Sequence, residues 1–251
     1  MKRIVREGAL TGAGLIALWW VIVAVFSPPP YLLPTPGRVL EALIKEHTLL
    51  AHHALATVAV MVAALLLSAS LGLIIGGLLY YSKGVRRVVL GPLLVMQVMP
   101  LFALAPLLVL WVGYGAPSKI ACAVLITCFP LILGTWEGLR QVPQPYVDFA
   151  ASVNTPFWPL WGRVLLPAAL PVLTPALKMA AVFAPLGAVL GEWVGSSEGL
   201  GYLMLQANGR LRTDMMFAAL SCLSLVSLSL YAAVSMTLHT LRRHTPDTRL
   251  L

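Results

Sequence analysis

DFAASVNTPFWPLWGRVLLPAALP, residues 148–171, lies between apolar runs long enough to cross a bilayer, yet it cannot itself be a span. Pro156, Pro159, Pro167 and Pro171 interrupt it too often for one long helix. It carries Asp148 and Arg163, and its middle is crowded with Phe157, Trp158 and Trp161. The local chemistry predicts two short helices with a bend between them. Pro145 fits the first turn of the first helix, where its missing N–H costs nothing. Asn154 can take the left-handed conformation that ends it. Thr155 and Pro156 read as N-cap and first position of the second helix, which Pro167 then stops. A short helix with exposed aromatics beside a membrane is a docking element that offers apolar knobs to a partner's groove. The alternative is an interfacial amphipathic connector with belt tryptophans.

The same residues resemble the cytoplasmic EAA loop of ABC importer permeases. That loop reads Glu-Ala-Ala, three residues, Gly, nine residues, Ile-x-Leu-Pro. Here Asp148-Phe149-Ala150 is followed after three residues by Asn154, and after nine more by Val164-Leu165-Leu166-Pro167. Asp148 keeps the carboxylate, Asn154 keeps the left-handed tolerance of glycine, and Val164 keeps a branched apolar group. Phe149 in place of Ala is the marked departure. The resemblance extends from PTPGRVLEAL at Pro34 to the last apolar run, and points to the permeases of the nitrate, sulfonate and taurine group. It implies that the loop, within residues 140–171, docks into a cleft of an ATPase subunit. The implied coupling residues are Asp148, Phe149, Ala150, Asn154, Phe157, Trp158, Val164, Leu166 and Pro167. Ala150 is expected to face the cleft.

Apolar residues make up 59% of the chain, charged residues 10%, and the mean hydropathy is +0.89. That is the composition of a polytopic membrane protein. At about 20 residues per span, 251 residues hold six or so helices, with nothing left for a soluble catalytic domain. The expectation is therefore one all-α transmembrane domain over 1–251, with its core at 54–241. The net charge of +8 reads as Lys and Arg at span ends rather than a nucleic-acid surface. Cys122, Cys128 and Cys222 fall inside apolar runs at no metal spacing and read as small core hydrophobes.

Six spans are expected. Residues 8–26 form the first, too long for a signal-peptide core and without a small-x-small cleavage site. A Pro-rich segment follows, with an amphipathic surface helix at 38–46. The second span covers 54–80. Span three, 88–112, contains Pro92, Pro100 and Pro106 and is expected to kink or break. Spans four to six cover about 118–139, 171–194 and 214–241. Lys2, Arg3, Arg6, Lys83, Arg86, Arg87, Arg140, Arg163, Arg242, Arg243 and Arg249 then fall inside, against Arg38, Lys45, Lys119, Arg210 and Arg212 outside. Lys178 sits within a span, near its inner end. This asymmetry places both termini in the cytoplasm, and the resemblance implies a multi-pass protein of the bacterial inner membrane.

The chemistry of catalysis is not legible. GYGAPSK, residues 113–119, lacks the Gly-Lys pair of a phosphate loop, so ATP is expected to be bound by a partner and no cofactor by this chain. No HExxH or GxSxG occurs, and Lys178 and Glu192 lie about four turns apart on one helix, too far for a catalytic dyad. No catalytic or metal residue is assigned, and adjacent His52 and His53 point different ways on a helix and read as an interfacial pair. Candidates for lining a pathway are Met96, Gln97, Met99 and Glu192. Met stripes also serve plain packing, and Glu192 reads either as a functional membrane carboxylate or as an interfacial residue beside Trp193. GEWVGSSEGLGYLML, residues 191–205, is similar to permeases for pyrimidine precursors of thiamine, and its Gly-Leu-Gly-Tyr core also to sulfonate and taurine permeases. The expected function is the permease subunit of an importer for a small organic solute or anion. It would work as a pair with a second copy in the lipid bilayer, with ATPase subunits and a solute-binding protein. A membrane-embedded enzyme or a channel is the rival reading.

Overall fold

The computed structural model describes the backbone of residues 2–243 and the side chains of residues 12–241. Lys2, Arg3, Arg6, Arg242, Arg243 and Arg249, used in the charge argument, lie outside the described side chains. The described backbone is helical, with α1 (Lys2–Phe26), α2 (Pro36–Lys45), α3 (His47–Tyr81), α4 (Lys83–Val98), α5 (Leu101–Val112) and α6 (Ala116–Arg140) in its first half. The second half contains α7 (Gln144–Ser152), α8 (Phe157–Leu160), a π-helical turn (Trp161–Leu165), α9 (Leu166–Gly195), α10 (Leu200–Gly209) and α11 (Thr213–Arg243).

Among the described residues, four helical runs are long and apolar enough to cross a membrane: His47–Tyr81, Ala116–Arg140, Phe157–Gly195 and Thr213–Leu241. The bent pair α4–α5 makes a fifth if it counts as one span. The expected sixth, α1, is a continuous helix whose apolar described part, Gly12–Phe26, is shorter. The pair α4–α5 bends by 110°. Of its three prolines, only Pro100 breaks the chain. Pro100 caps α5 and pushes Met99 into extended backbone, whereas Pro92 and Pro106 stay inside helices.

The core is the trio α3, α6 and α9, whose contacting faces are built from small residues. Val60, Met61 and Ala64 of α3 meet Ala123 of α6 and Ala184 and Ala188 of α9. Ser68 and Thr127 share a buried hydrogen bond of 2.6 Å between α3 and α6. A Cβ on Gly72 would lie 2.7 Å from the Leu131 Cβ, and one on Gly76 2.6 Å from the Thr135 Cβ. Without a hydrophobic driving force between helices in lipid, such close backbone approach and its dispersion contacts supply much of the association. Helix α2 starts at an N-cap, where Thr35 Oγ1 accepts from the Arg38 N–H at 3.3 Å. Its Val39 and Ala42 pack with Leu200, Leu203, Met215 and Ala218 of α10 and α11, so it lies on the protein as well as presenting Leu40 and Ile44 outward.

Candidate functional site

The 148–171 stretch folds as two helices around a tight turn. Pro145 lies in the first turn of α7, as its lack of an N–H allows. Asn154 has φ +49° and follows the end of α7. Its N–H donates to Ala151 O at 3.0 Å, and the Thr155 N–H reaches back to Ala150 O at 2.9 Å. This pair of bonds is a Schellman closure, with Asn154 in the left-handed position. The second helix starts one residue later than expected. Pro156 is its N-cap and Phe157 its first residue, and the Thr155 side chain makes no capping bond.

Pro167 does not stop this helix. The helical run is continuous from Phe157 to Gly195, about 58 Å long. A proline ring normally collides with the carbonyl four residues back, here Arg163. Residues Trp161–Leu165 form a π-helical turn, in which the Leu166 N–H bonds back to Trp161 O. The wider turn moves the obstructing carbonyl aside for Pro167, while Pro171, Pro175 and Pro185 lie further along, inside α9.

The side chains of the loop divide into two faces. Phe149 is 70% exposed, Val153 57%, Phe157 49% and Trp158 77%. Asp148 is exposed and accepts from Gln144 Nε2 at 2.9 Å. Ala150, expected to face a partner's cleft, is instead 4% exposed and turned into the protein, because it lies one residue on from Phe149 around the helix. Val164, Leu166 and Pro167 are half-buried in the start of the rod. Phe157 also stacks on Trp161 at 6.3 Å and meets Tyr81 at 5.6 Å, so it seats the loop on the end of α3 while keeping an open edge. An apolar recess of about 310 Å³ lies there, walled by Ile74, Gly77, Leu78, Tyr81, Phe157 and Trp161.

The four pathway candidates are not one group. Met96, Gln97 and Met99 are exposed at the α4–α5 bend. Glu192 has no exposed surface in the chain. Its Oε1 accepts from Thr57 Oγ1 at 2.8 Å and its Oε2 from the Gly201 N–H at 2.7 Å. Thr57 Oγ1 in turn accepts from the Leu200 N–H at 2.8 Å, and His53 Nδ1 accepts from the Gly199 N–H at 3.0 Å. Lys119 is 2% exposed, with Nζ 3.4 Å from Glu198 Oε1. These groups come from α3, α6 and α9 and converge on the 196–199 turn between α9 and α10.

Sequence reasoning named Glu192 but missed its partners. His53 and Thr57 are one helical turn apart and share a face of α3, a polar i, i+4 pair in an apolar run that could have drawn notice. Nothing local ties Thr57 to Glu192, 135 positions away. At the same end, Thr213 Oγ1 donates to Pro30 O at 2.7 Å, and a charged cleft of about 640 Å³ opens between α2 and the start of α11. Arg38, Glu41, Lys45, Arg212 and Asp214 line it, and Arg212 lies 3.5 Å from Glu46.

The family model described as binding-protein-dependent transport system inner membrane component matches residues 68–242. A Haemophilus influenzae protein named "Probable ABC transporter permease protein" is 44% identical over 225 residues, covering 90% of this chain and 92% of that protein. The formylaminopyrimidine transport permease protein ThiX of Halalkalibacterium halodurans is 34% identical, covering 88% of each. Among solved structures, a chain of the MetNI methionine ABC transporter in an inward-facing conformation matches with a TM-score of 0.67 at 20% identity. It covers 78% of this chain and 98% of that one, a likeness of fold. With α4–α10 wholly inside the family match and a relative aligned along nearly its whole length, the chain belongs to the binding-protein-dependent inner membrane component family and is an ABC transporter permease.

Proposed function

We propose that this permease carries a small pyrimidine across the bacterial inner membrane as one of two identical copies. Separate ATPase subunits bind and hydrolyse ATP, and a solute-binding protein delivers the substrate. The observation that carries the coupling part is the apolar ridge of Phe149, Val153 and Trp158, exposed at the end of a spanning rod. Water does not favour three large apolar groups exposed on one loop, whereas a partner's groove does. The ridge therefore docks into the ATPase, with Phe157 holding it against α3 and Asn154 setting the turn. Asp148, Val164, Leu166 and Pro167 support it from the flanks.

In this reading the loop end of the bundle is cytoplasmic, as the basic residues Lys83, Arg86, Arg87, Arg140 and Arg163 favour. The 196–212 segment and the charged cleft beside α2 then face outward, toward the binding protein. In intact cells, an impermeant thiol reagent should label a cysteine at Asn208 and spare one at Gln141. The reverse pattern would overturn the orientation.

The pyrimidine assignment is supported by the relative in Halalkalibacterium halodurans, whose name states formylaminopyrimidine transport. The test is uptake of labelled formylaminopyrimidine by cells carrying the permease, its ATPase and its binding protein. Expected is ATP-dependent uptake that excess unlabelled pyrimidine abolishes and taurine leaves unchanged. Competition by taurine alone would move the substrate to the sulfonate class.

A further inference from the structure

Glu192 is the one carboxylate of the rod that begins at the coupling loop, and its two oxygens bridge Thr57 of α3 and the Gly201 N–H at the start of α10. Three successive backbone N–H groups of the 196–201 segment, at Gly199, Leu200 and Gly201, are each received by a side chain of a spanning helix. His53 takes the first, Thr57 the second and Glu192 the third. These N–H groups begin α10, and a helix start leaves such donors without partners of its own. Gly199 has φ +114°, and a Cβ there would collide with the Glu192 carboxyl group. The turn is thus shaped to lie against this carboxylate. Lys119 of α6 holds it from the other side through Glu198.

We propose that Glu192 is a positioning residue for transport: with Thr57 and His53 of α3 it clamps the 196–201 segment to α3 and to the end of the α8–α9 rod. Movement of that segment and movement of the coupling loop then become one event. The helical run is continuous from Phe157 through the π-helical turn to Gly195, so one element joins the two ends. The clamp works through hydrogen bonds. A glutamine at 192 can keep them: its Oε1 accepts from Gly201, its Nε2 donates to Thr57 Oγ1, and the Thr57 hydroxyl turns to His53 O, which lies 3.2 Å away. A leucine there keeps none.

The transport readout rests on the ATPase-docking reading above, and the labelling readout does not. The experiment uses the detergent-solubilised complex of permease and ATPase, with formylaminopyrimidine-loaded binding protein as the stimulant. Ser196, 7% exposed, is replaced by cysteine, and its rate of reaction with a maleimide reports release of the turn. Glu192→Leu is expected to raise that rate at least tenfold. It should also lower stimulated ATP hydrolysis about tenfold, while basal hydrolysis stays within twofold. Glu192→Gln should restore both to near the parent values, which a generic loss of packing would not explain. Thr57→Val and Thr57→Ser form a second pair for the case in which Glu192→Leu does not accumulate. The valine should behave as the leucine does, and the serine as the parent. A parent-like labelling rate in Glu192→Leu, or in Thr57→Val if the leucine variant is lost, overturns the clamp. Faster labelling with unchanged stimulation overturns its role in transport. A parent complex without any hydrolysis rejects the docking reading, and the labelling rates still decide the clamp.

Discussion

Replacing Gly191 by leucine is expected to abolish accumulation of the permease in the membrane. A Cβ at Gly191 would stand 2.7 Å from Lys119 Cα and 3.1 Å from the Lys119 carbonyl oxygen. Both obstacles are backbone, so no side chain can swing away. The only relief is separation of α9 from α6, the two helices at the centre of the fold. Separation would loosen Ala184 and Ala188 from Ala123 and Met61. It would also pull Glu192, the next residue, off Thr57. Overpacking a core position costs about 1–3 kcal/mol even where neighbours can adjust, and here they cannot. In lipid, close packing is itself much of the cohesion between helices. The control is Gly37→Ala on α2, where a Cβ meets nothing within 4 Å and alanine is the better helix former. Membrane-fraction immunoblots and thermal unfolding in detergent should show Gly191→Leu absent or strongly destabilised and Gly37→Ala unchanged. Normal levels with a parent-like unfolding temperature for Gly191→Leu would contradict the close α6–α9 packing.

The glycine and alanine content of α6 and α9 made close helix packing foreseeable, but not which glycine meets which backbone. The same division runs through the chain. A kink or break in the α4–α5 pair was legible from Pro92, Pro100 and Pro106 together, but not that Pro100 would be the one to make it, by pushing the residue before it out of the helix. Nor was it legible that Pro92 and Pro106 would leave their helices intact, because tolerance depends on what neighbours re-satisfy the backbone. Asn154 was legible as the end of α7, since few residues accept its left-handed conformation. Pro167 was misread as a stop because the π-helical turn that accommodates it has no sequence signature. The clamp at Glu192 was hidden for another reason. Its partners come from positions 53, 57 and 199–201, and only the packed bundle brings them together.

The facing of α7, proposed above to dock the ATPase, was the hardest to read, and it yields the second large effect. Adjacent residues on a helix point about 100° apart, so the motif that marks Phe149 and Ala150 together cannot say which one looks outward. Phe149 is 70% exposed and Ala150 4%. A glutamate at 149 stays in water in the free permease and harms nothing there. Docking would carry it into an apolar groove, and an unpaired charge buried in that way costs several kcal/mol. A loss of about 3 kcal/mol weakens binding more than a hundredfold. Phe149→Glu should therefore accumulate at the parent level, lose pull-down of the ATPase, and lose stimulated hydrolysis and uptake. Ala150→Glu places the charge inside the permease itself, under α7. That variant should fail earlier, with α7 lifted from the bundle and the loop cut readily by protease near Val153. Ser152→Glu, exposed and at the end of α7, should be milder than either. The two failures separate a surface that binds from a surface that supports. Full ATPase binding by Phe149→Glu would remove the exposed ridge from the coupling site. A protease-resistant Ala150→Glu that accumulates normally would show that α7 does not rest on Ala150.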